Sequence, residues 1–168
     1  MGDVVSIELL LDDETQGSVR ADWEHLARAG HSSLAAHTAP SNRPHITVLV
    51  RQSLPLVDFA SASALLPVRV MLGTPIVFEH GDRGVLARTV VLDEALLAVY
   101  NAVRAAVPPG EDAPHTDPDS WTPHVTLARR LRLASLDDAR ALLGPEREGW
   151  AVGLRRWDSR TRTVTTPR

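Results

Sequence analysis

The sequence predicts a mixed fold of strands and helices made by one duplication. Three observations carry that expectation. First, two short stretches read almost alike, Pro44-His45-Ile46-Thr47-Val48 and Pro123-His124-Val125-Thr126-Leu127. Second, the order strand, helix, long loop, His-x-Thr strand, short helix, strand occurs twice. Third, the offset is constant: His45 and His124 stand 79 positions apart, and the strands and helices before them are displaced by about as much. One repeat of this kind is a duplication, not a solenoid. By symmetry, the two His-x-Thr strands would face each other across a cleft between two lobes.

Each element has a local reason. Val4 to Leu11 (VVSIELLL) is apolar enough for a buried first strand. Asp12-Asp13-Glu14 puts acid where a helix dipole favours it. Val19, Trp23, Leu26 and Ala27 then fall at helical spacing, and Gly30 suits the C-terminal cap. His25 reads as a surface helix residue. Residues 31–43 are polar, contain Pro40, and form a loop holding His31 and His37. The first His-x-Thr strand runs from His45 to about Arg51. Pro55 to Leu66 reads as a short helix stopped by Pro67. Val68 to Leu72 and Pro75 to Glu79 read as two strands, and the second makes a hairpin with Val85 to Leu92 through His80-Gly81-Asp82-Arg83-Gly84.

The second half repeats the scheme. Asp93 is a good N-cap, and Leu96, Val99, Tyr100, Val103 and Val107 form an apolar helical stripe ended by Pro108-Pro109-Gly110. Residues 108–122 (PPGEDAPHTDPDSWT) are an acidic loop with four Pro that leads into the second His-x-Thr strand. Ser135 to Asp138 resembles a capping box and opens a helix ending at Gly144-Pro145. Trp150 to Trp157 and Arg162 to Thr166 close the chain as strands.

Composition narrows the function. A length of 168 residues with 43% apolar residues suits a single domain, residues 1–168, of two lobes around a shared core. A formal net charge of -3 argues against binding polyanions by bulk charge, so any nucleic-acid contact is local. All 18 basic residues are Arg; its planar fork suits phosphate, although a compositional bias would produce the same count. There is no Cys, which excludes disulfides, thiolate metal sites and cysteine nucleophiles and fits a cytoplasmic location. Met1-Gly2-Asp3 lacks the basic start of a secretory leader. No apolar run approaches membrane-spanning length, so no membrane partner is expected.

The paired motifs suggest the chemistry. In a strand, residues two apart share a face, so each motif offers an imidazole beside a hydroxyl. Two histidines around one phosphate can divide the cleavage of a phosphoester. One takes the proton of the attacking oxygen and the other protonates the leaving oxygen, each worth about 10²–10⁴-fold. Thr47 and Thr126 would hold the non-bridging oxygens. The scheme needs no metal or other cofactor. Seven His invite a metal reading, but none shows helical i, i+4 or finger-like spacing.

With PHIT at 44–47, WTPHVTLAR at 121–129 and the surrounding duplication, most of the chain resembles the 2H phosphoesterase superfamily, and within it the 2'-5' RNA ligase or RNA 2',3'-cyclic phosphodiesterase group. The resemblance implies a bilobal α+β fold, two antiparallel sheets facing across a central cleft with helices outside. It implies His45 and His124 as the acid–base pair, Thr47 and Thr126 as phosphate ligands, and Arg129 as a supporting phosphate contact. It implies a hydrolase opening 2',3'-cyclic phosphates of RNA 3' ends or nucleotides to 2'-phosphates, or the reverse 2'-5' ligation. Strict alternation puts Arg129 on the face opposite Thr126, so it reaches the phosphate only if the strand ends or bulges there. The family often carries an aromatic a few residues past the first motif, where this chain has Val48-Leu49-Val50-Arg51. With the acidic loop at 111–119, that favours a small cyclic phosphate or a short RNA end.

Other residues have plainer roles open to them. Trp121 reads as packing at the start of its strand in preference to stacking on a base. Arg51 shares parity with His45 and Thr47 and is placed either at the cleft or at a solvated strand end. Arg43 and Arg130 flank the motifs as rim candidates. Two other functions compete with cyclic-phosphate opening. One is hydrolysis of a different phosphoester, such as an ADP-ribose cyclic phosphate or an oligoadenylate linkage. The other is a nucleotide- or RNA-end-binding module without catalysis. A monomer is expected.

Overall fold

The computed structural model describes residues 2–167. It is an α+β fold dominated by antiparallel sheet. In chain order the strands are β1 (Val5–Leu11), β2 (His45–Arg51), β3 (Val68–His80), β4 (Arg83–Val90), β5 (His124–Arg132), β6 (Arg147–Asp158) and β7 (Thr163–Thr165). The helices are α1 (Asp13–Arg28), α2 (Ala60–Ser63), α3 (Glu94–Ala106) and α4 (Leu136–Ala141).

The two long helices start where their caps dictate. The Asp12 carboxylate accepts from the Thr15 amide, and the Asp93 carboxylate from the Leu96 amide at 2.9 Å. Gly30 has φ 82°, the left-handed value that ends α1. Two expected helices are shorter than the sequence suggests. Over 55–66 only Ala60–Ser63 is helical, and the Ser135 side chain makes no cap bond at α4. The strands expected at 68–72 and 75–79 are one strand, β3.

The expected pair of sheets is corrected by the strand order. All strands belong to one seven-stranded sheet, β2-β1-β6-β3-β4-β5, with β7 also on β6. The join is the antiparallel pairing of β3 with β6, from Val68 opposite Ala151 to Leu72 opposite Arg147. The order reads alike from either edge. A motif strand is outermost, the strand that precedes it in the chain is next, and a strand from the other half comes third. β3 comes after the first motif yet pairs with β4, and β6 comes after the second yet pairs with β1.

The motif strands are thus the two ends of the sheet, and β2 and β5 come back into contact with each other. One face of the sheet carries the core. Ile7, Leu9, Leu11, Ile46, Val48, Leu86, Val125 and Leu127 pack there against Val19, Trp23 and Leu26 of α1 and Leu96, Val99 and Val103 of α3. Each long helix crosses to the other half: α1 meets β5 and β6, and α3 meets β2 and β3. The opposite face carries the polar residues of the two motifs.

Candidate active site

The two motifs have the same local geometry. His45 and Thr47 are half-buried while Ile46, Val48 and Leu49 are buried, and His124 to Ala128 repeat that pattern. The cause is a bulge one residue past each Thr. On β2, Thr47 lies opposite Glu8 and Leu49 opposite Ile7, so Val48 is the extra residue. On β5, Thr126 lies opposite Ala87 and Ala128 opposite Leu86, so Leu127 is extra. A bulge bends an edge strand and re-aims the side chains beyond it, and it is common beside functional sites.

Both imidazoles are fixed in the same way. The His45 Nδ1–H donates to the Arg43 main-chain oxygen, and the His124 Nδ1–H to that of Thr122, each at 2.7 Å. A carbonyl only accepts, so the proton sits on Nδ1 and Nε2 is the nitrogen left to work. Among the described residues neither Thr47 nor Thr126 uses its hydroxyl in a hydrogen bond. Two indoles bring the strands together. Trp121 donates to the Thr47 oxygen at 3.0 Å and Trp23 to the Thr126 oxygen at 3.1 Å. Trp121 is therefore the packing residue expected, buried and stacked on Tyr100 with ring centroids 4.2 Å apart.

The surroundings of the two rings differ. His45 Nε2 lies 3.3 Å from Oε2 of Glu8, a carboxylate buried on β1. Glu8 in turn accepts from Arg155 Nε of β6 at 2.6 Å and from the Ser6 hydroxyl at 2.8 Å. Arg155 also donates to the Ser41 oxygen at 2.8 Å. His124 has no carboxylate among the described residues. Phe78 of β3 lies against it with centroids 4.8 Å apart, and His115 lies as close on Phe78. Burial above all holds the His124 ring below the usual 6.5; the charges of His115 and His45 act in the same direction, against the bond to Thr122.

Glu8, Arg155, Phe78 and His115 surround the two histidines, and the sequence pattern did not single them out. Ser6 and Glu8, alternating inside the apolar run VVSIELLL, were a readable sign that β1 has one polar face. Nothing in the residues around Phe78 or His115 marked them.

The bulges also relocate arginines. Arg51 leaves the face of His45 and is buried, with Nε 2.9 Å from Asp112 and Nη1 2.6 Å from the Pro108 oxygen. It is neither at the cleft nor at a solvated end. The bulge at Leu127 is the condition that frees Arg129 from strict alternation. Arg129 is exposed, its main-chain oxygen accepts from Ser32, and it borders a cavity of about 860 Å³ with Arg130, His31 and His37. Arg43 donates to Gln16 at 2.9 Å. With Leu10, Arg155, Trp157 and Arg162 it borders a second cavity of about 880 Å³, on the His45 side of the site.

The acidic loop is less acidic than its sequence. Asp112 is bonded to both Arg51 and Arg104 at 2.9 Å. Its burial alone would raise the carboxyl, but the two arginines outweigh that and hold it below 3.8. His25 is exposed on α1, and His80 is exposed at the end of β3. Among the described residues no helix is long and apolar enough to cross a membrane.

The sequence model of the 2'-5' RNA ligase superfamily matches residues 15–158, a stretch that holds both motifs. No curated protein matches the chain. Two solved structures of Usb1 from Kluyveromyces marxianus are similar. The first is 13% identical with a TM-score of 0.51 and covers 97% of this chain and 96% of its own. The other, solved with uridine monophosphate, is 15% identical with a TM-score of 0.47 and covers 98% and 97%. At this identity the likeness is one of fold.

Proposed function

Since this chain belongs to the 2'-5' RNA ligase superfamily of 2H phosphoesterases, we propose that it is a metal-independent phosphodiesterase that opens 2',3'-cyclic phosphates to 2'-phosphates. Its substrates are RNA 3' ends or nucleoside cyclic phosphates, and 2'-5' ligation is the same opening of the P–O3' bond with a 5'-hydroxyl attacking in place of water. The observation that carries the reading is the matched pair of motifs. Each has its Nδ1 tied to a main-chain oxygen at 2.7 Å, and the edge strands that bear them are in contact.

The chemistry comes from those groups. The phosphate sits between the two Nε2 atoms, and the hydroxyls of Thr47 and Thr126 donate to its non-bridging oxygens. One imidazole takes a proton from water as its oxygen attacks phosphorus. The other gives a proton to O3' as the P–O3' bond breaks, leaving the phosphate on O2'. Arg129 assists at the rim of the phosphate site. The cavity beside Arg43 and Trp157, at about 880 Å³, is of a size to receive the nucleoside. The protein works as a monomer of one domain, in the cytoplasm.

The test is turnover of the four nucleoside 2',3'-cyclic phosphates with EDTA present and the position of the product phosphate determined. Release of 2'-phosphates, abolished in His45→Ala and in His124→Ala with the fold intact, is expected. Full activity in either variant rejects the mechanism. Turnover of only an ADP-ribose cyclic phosphate or an oligoadenylate moves the reading to that substrate. Binding of nucleotide without any turnover reduces it to a binding module.

A further inference from the structure

We propose that Glu8 is a positioning residue that keeps a proton on Nε2 of His45, which makes His45 the acid and His124 the base when a cyclic phosphate is opened. The inference rests on the phosphodiesterase reading of the cleft. Its physical basis is the pairing of donors and acceptors. Nδ1 of His45 already spends its proton on the Arg43 oxygen at 2.7 Å. A neutral ring would then leave two acceptors, Nε2 and the Glu8 Oε2, 3.3 Å apart. A proton on Nε2 turns that repulsion into a charge-assisted contact.

Glu8 is held in place for this role. Its Oε1 takes the Arg155 Nε–H at 2.6 Å and its Oε2 the Ser6 hydroxyl at 2.8 Å, and both Glu8 and Arg155 are about 5% exposed. The charged groups that face His45 come from three elements: Glu8 on β1, Arg155 on β6 and His124 on β5. Arg155 Nη2 is 3.4 Å from Nδ1 and opposes a second positive charge. The other two guanidinium nitrogens are engaged, Nε with Glu8 and Nη1 with the Ser41 oxygen. The Glu8 contact is at Nε2, the nitrogen that exchanges the proton.

Among the described residues no carboxylate faces His124. Its neighbours are the Phe78 ring and, beyond it, His115. The two rings, alike in motif and in their Nδ1 bonds, are thus given opposite protonation by what lies across the sheet from each. In the reaction, His124 Nε2 takes the proton of the attacking water and His45 Nε2 gives its own to O3'. Protons and bonds balance with a 2'-phosphate as product, and exchange with solvent restores the pair.

The experiment is nitrogen NMR of the histidine rings of the full chain, with the pH–rate profile on a nucleoside 2',3'-cyclic phosphate, for wild type and Glu8→Gln. At neutral pH the wild-type His45 ring is expected to be doubly protonated, and the E8Q ring singly protonated. The alkaline limb of kcat/KM in E8Q is expected about one pH unit or more lower. Its kcat falls about tenfold or more with KM little changed. If E8Q fails to fold, E8Q/R155M removes both charges and is expected to show the same loss of the Nε2 proton. An unchanged His45 spectrum in the folded variant overturns the proposal. The NMR change in a wild-type protein that turns over no cyclic phosphate keeps the proton assignment and removes the reaction.

Discussion

Trp23 on α1 donates its indole N–H to the main-chain oxygen of Thr126, 103 residues away in the chain, at 3.1 Å. Trp121 does the same for the Thr47 oxygen at 3.0 Å. Each indole comes from the half of the chain that lacks the motif it serves. Edge strands normally leave main-chain groups unpaired. Here the two ladders end on indoles at the residues proposed to hold the phosphate. The seam between the halves is therefore built at the candidate active site.

Replacing either indole tests the seam. Trp23→Phe and Trp121→Phe keep an aromatic ring but leave a carbonyl without its donor, at a cost of about 1–3 kcal/mol each. Both are expected to lower the urea midpoint. Both are also expected to reduce kcat on a cyclic phosphate by tenfold or more, because a shift of about 1 Å between catalytic groups costs about 10²-fold. Val99→Ala, at a fully buried position of α3, serves as the control: it loses stability with kcat retained. Normal kcat in both Trp variants shows that the seam does not set the distance between the motifs.

Asp22 and Arg88 form the staple under the core face. The Arg88 Nε–H donates to Asp22 at 2.9 Å and the Gly144 amide to the same carboxylate at 2.8 Å, while Arg88 also donates to the Gly144 oxygen. Both side chains are about 5% exposed. Asp22→Ala leaves a buried guanidinium without its counter-charge and is expected to cost about 3–5 kcal/mol in urea unfolding. The pair D22L/R88M removes both charges and should recover most of that loss. A D22A protein as stable as wild type would show that water reaches Arg88.

Much of this was legible in the residues. Asp12, Asp93 and Gly30 bound their helices because caps are local chemistry, and the motif histidines were visible as repeated tetrapeptides. The exchange of β3 and β6 between halves was not, since strand pairing is decided by contacts distant in sequence. The bulges were invisible for a different reason. Val48 and Leu127 are ordinary strand residues, and only the partner strand reveals that one of them is extra. That single residue is why Arg51, apparently on the face of His45, is buried against Asp112 instead. Glu8 was readable as a polar interruption of an apolar strand, but its partner Arg155 is 147 positions away.

Thr47 and Thr126 separate function from stability. Their hydroxyls have no hydrogen bond among the described residues, so Thr→Val at either position removes an oxygen without breaking a native contact. Each variant is expected to unfold within about 0.5 kcal/mol of wild type. Turnover, by contrast, should fall by about 10²–10³-fold if the hydroxyl donates to charge that builds on the phosphate. Thr→Ser, which keeps the donor, should retain most of the rate. Equal activity of the Val and Ser variants in steady-state kinetics would remove the hydroxyls from the mechanism.

His124 also predicts how stability depends on pH. Burial first, and then the charges of His115 and His45, hold its folded-state value below 6.5. As pH falls below about 6.5 the unfolded ring gains its proton while the folded ring resists. The unfolded state then binds more protons, so stability declines in that window and is fully present above it. The carboxylates act lower. Asp112, where burial is outweighed by Arg104 and Arg51, and Asp12, where it is outweighed by bonds from Thr15 and Trp150, are both held below 3.8. Their contributions are lost only as pH falls below about 3.8. Urea unfolding between about pH 7.5 and 5 should therefore show wild type losing stability relative to His124→Asn as the pH falls. Parallel curves for the two proteins would mean that the folded His124 ring protonates as readily as the unfolded one.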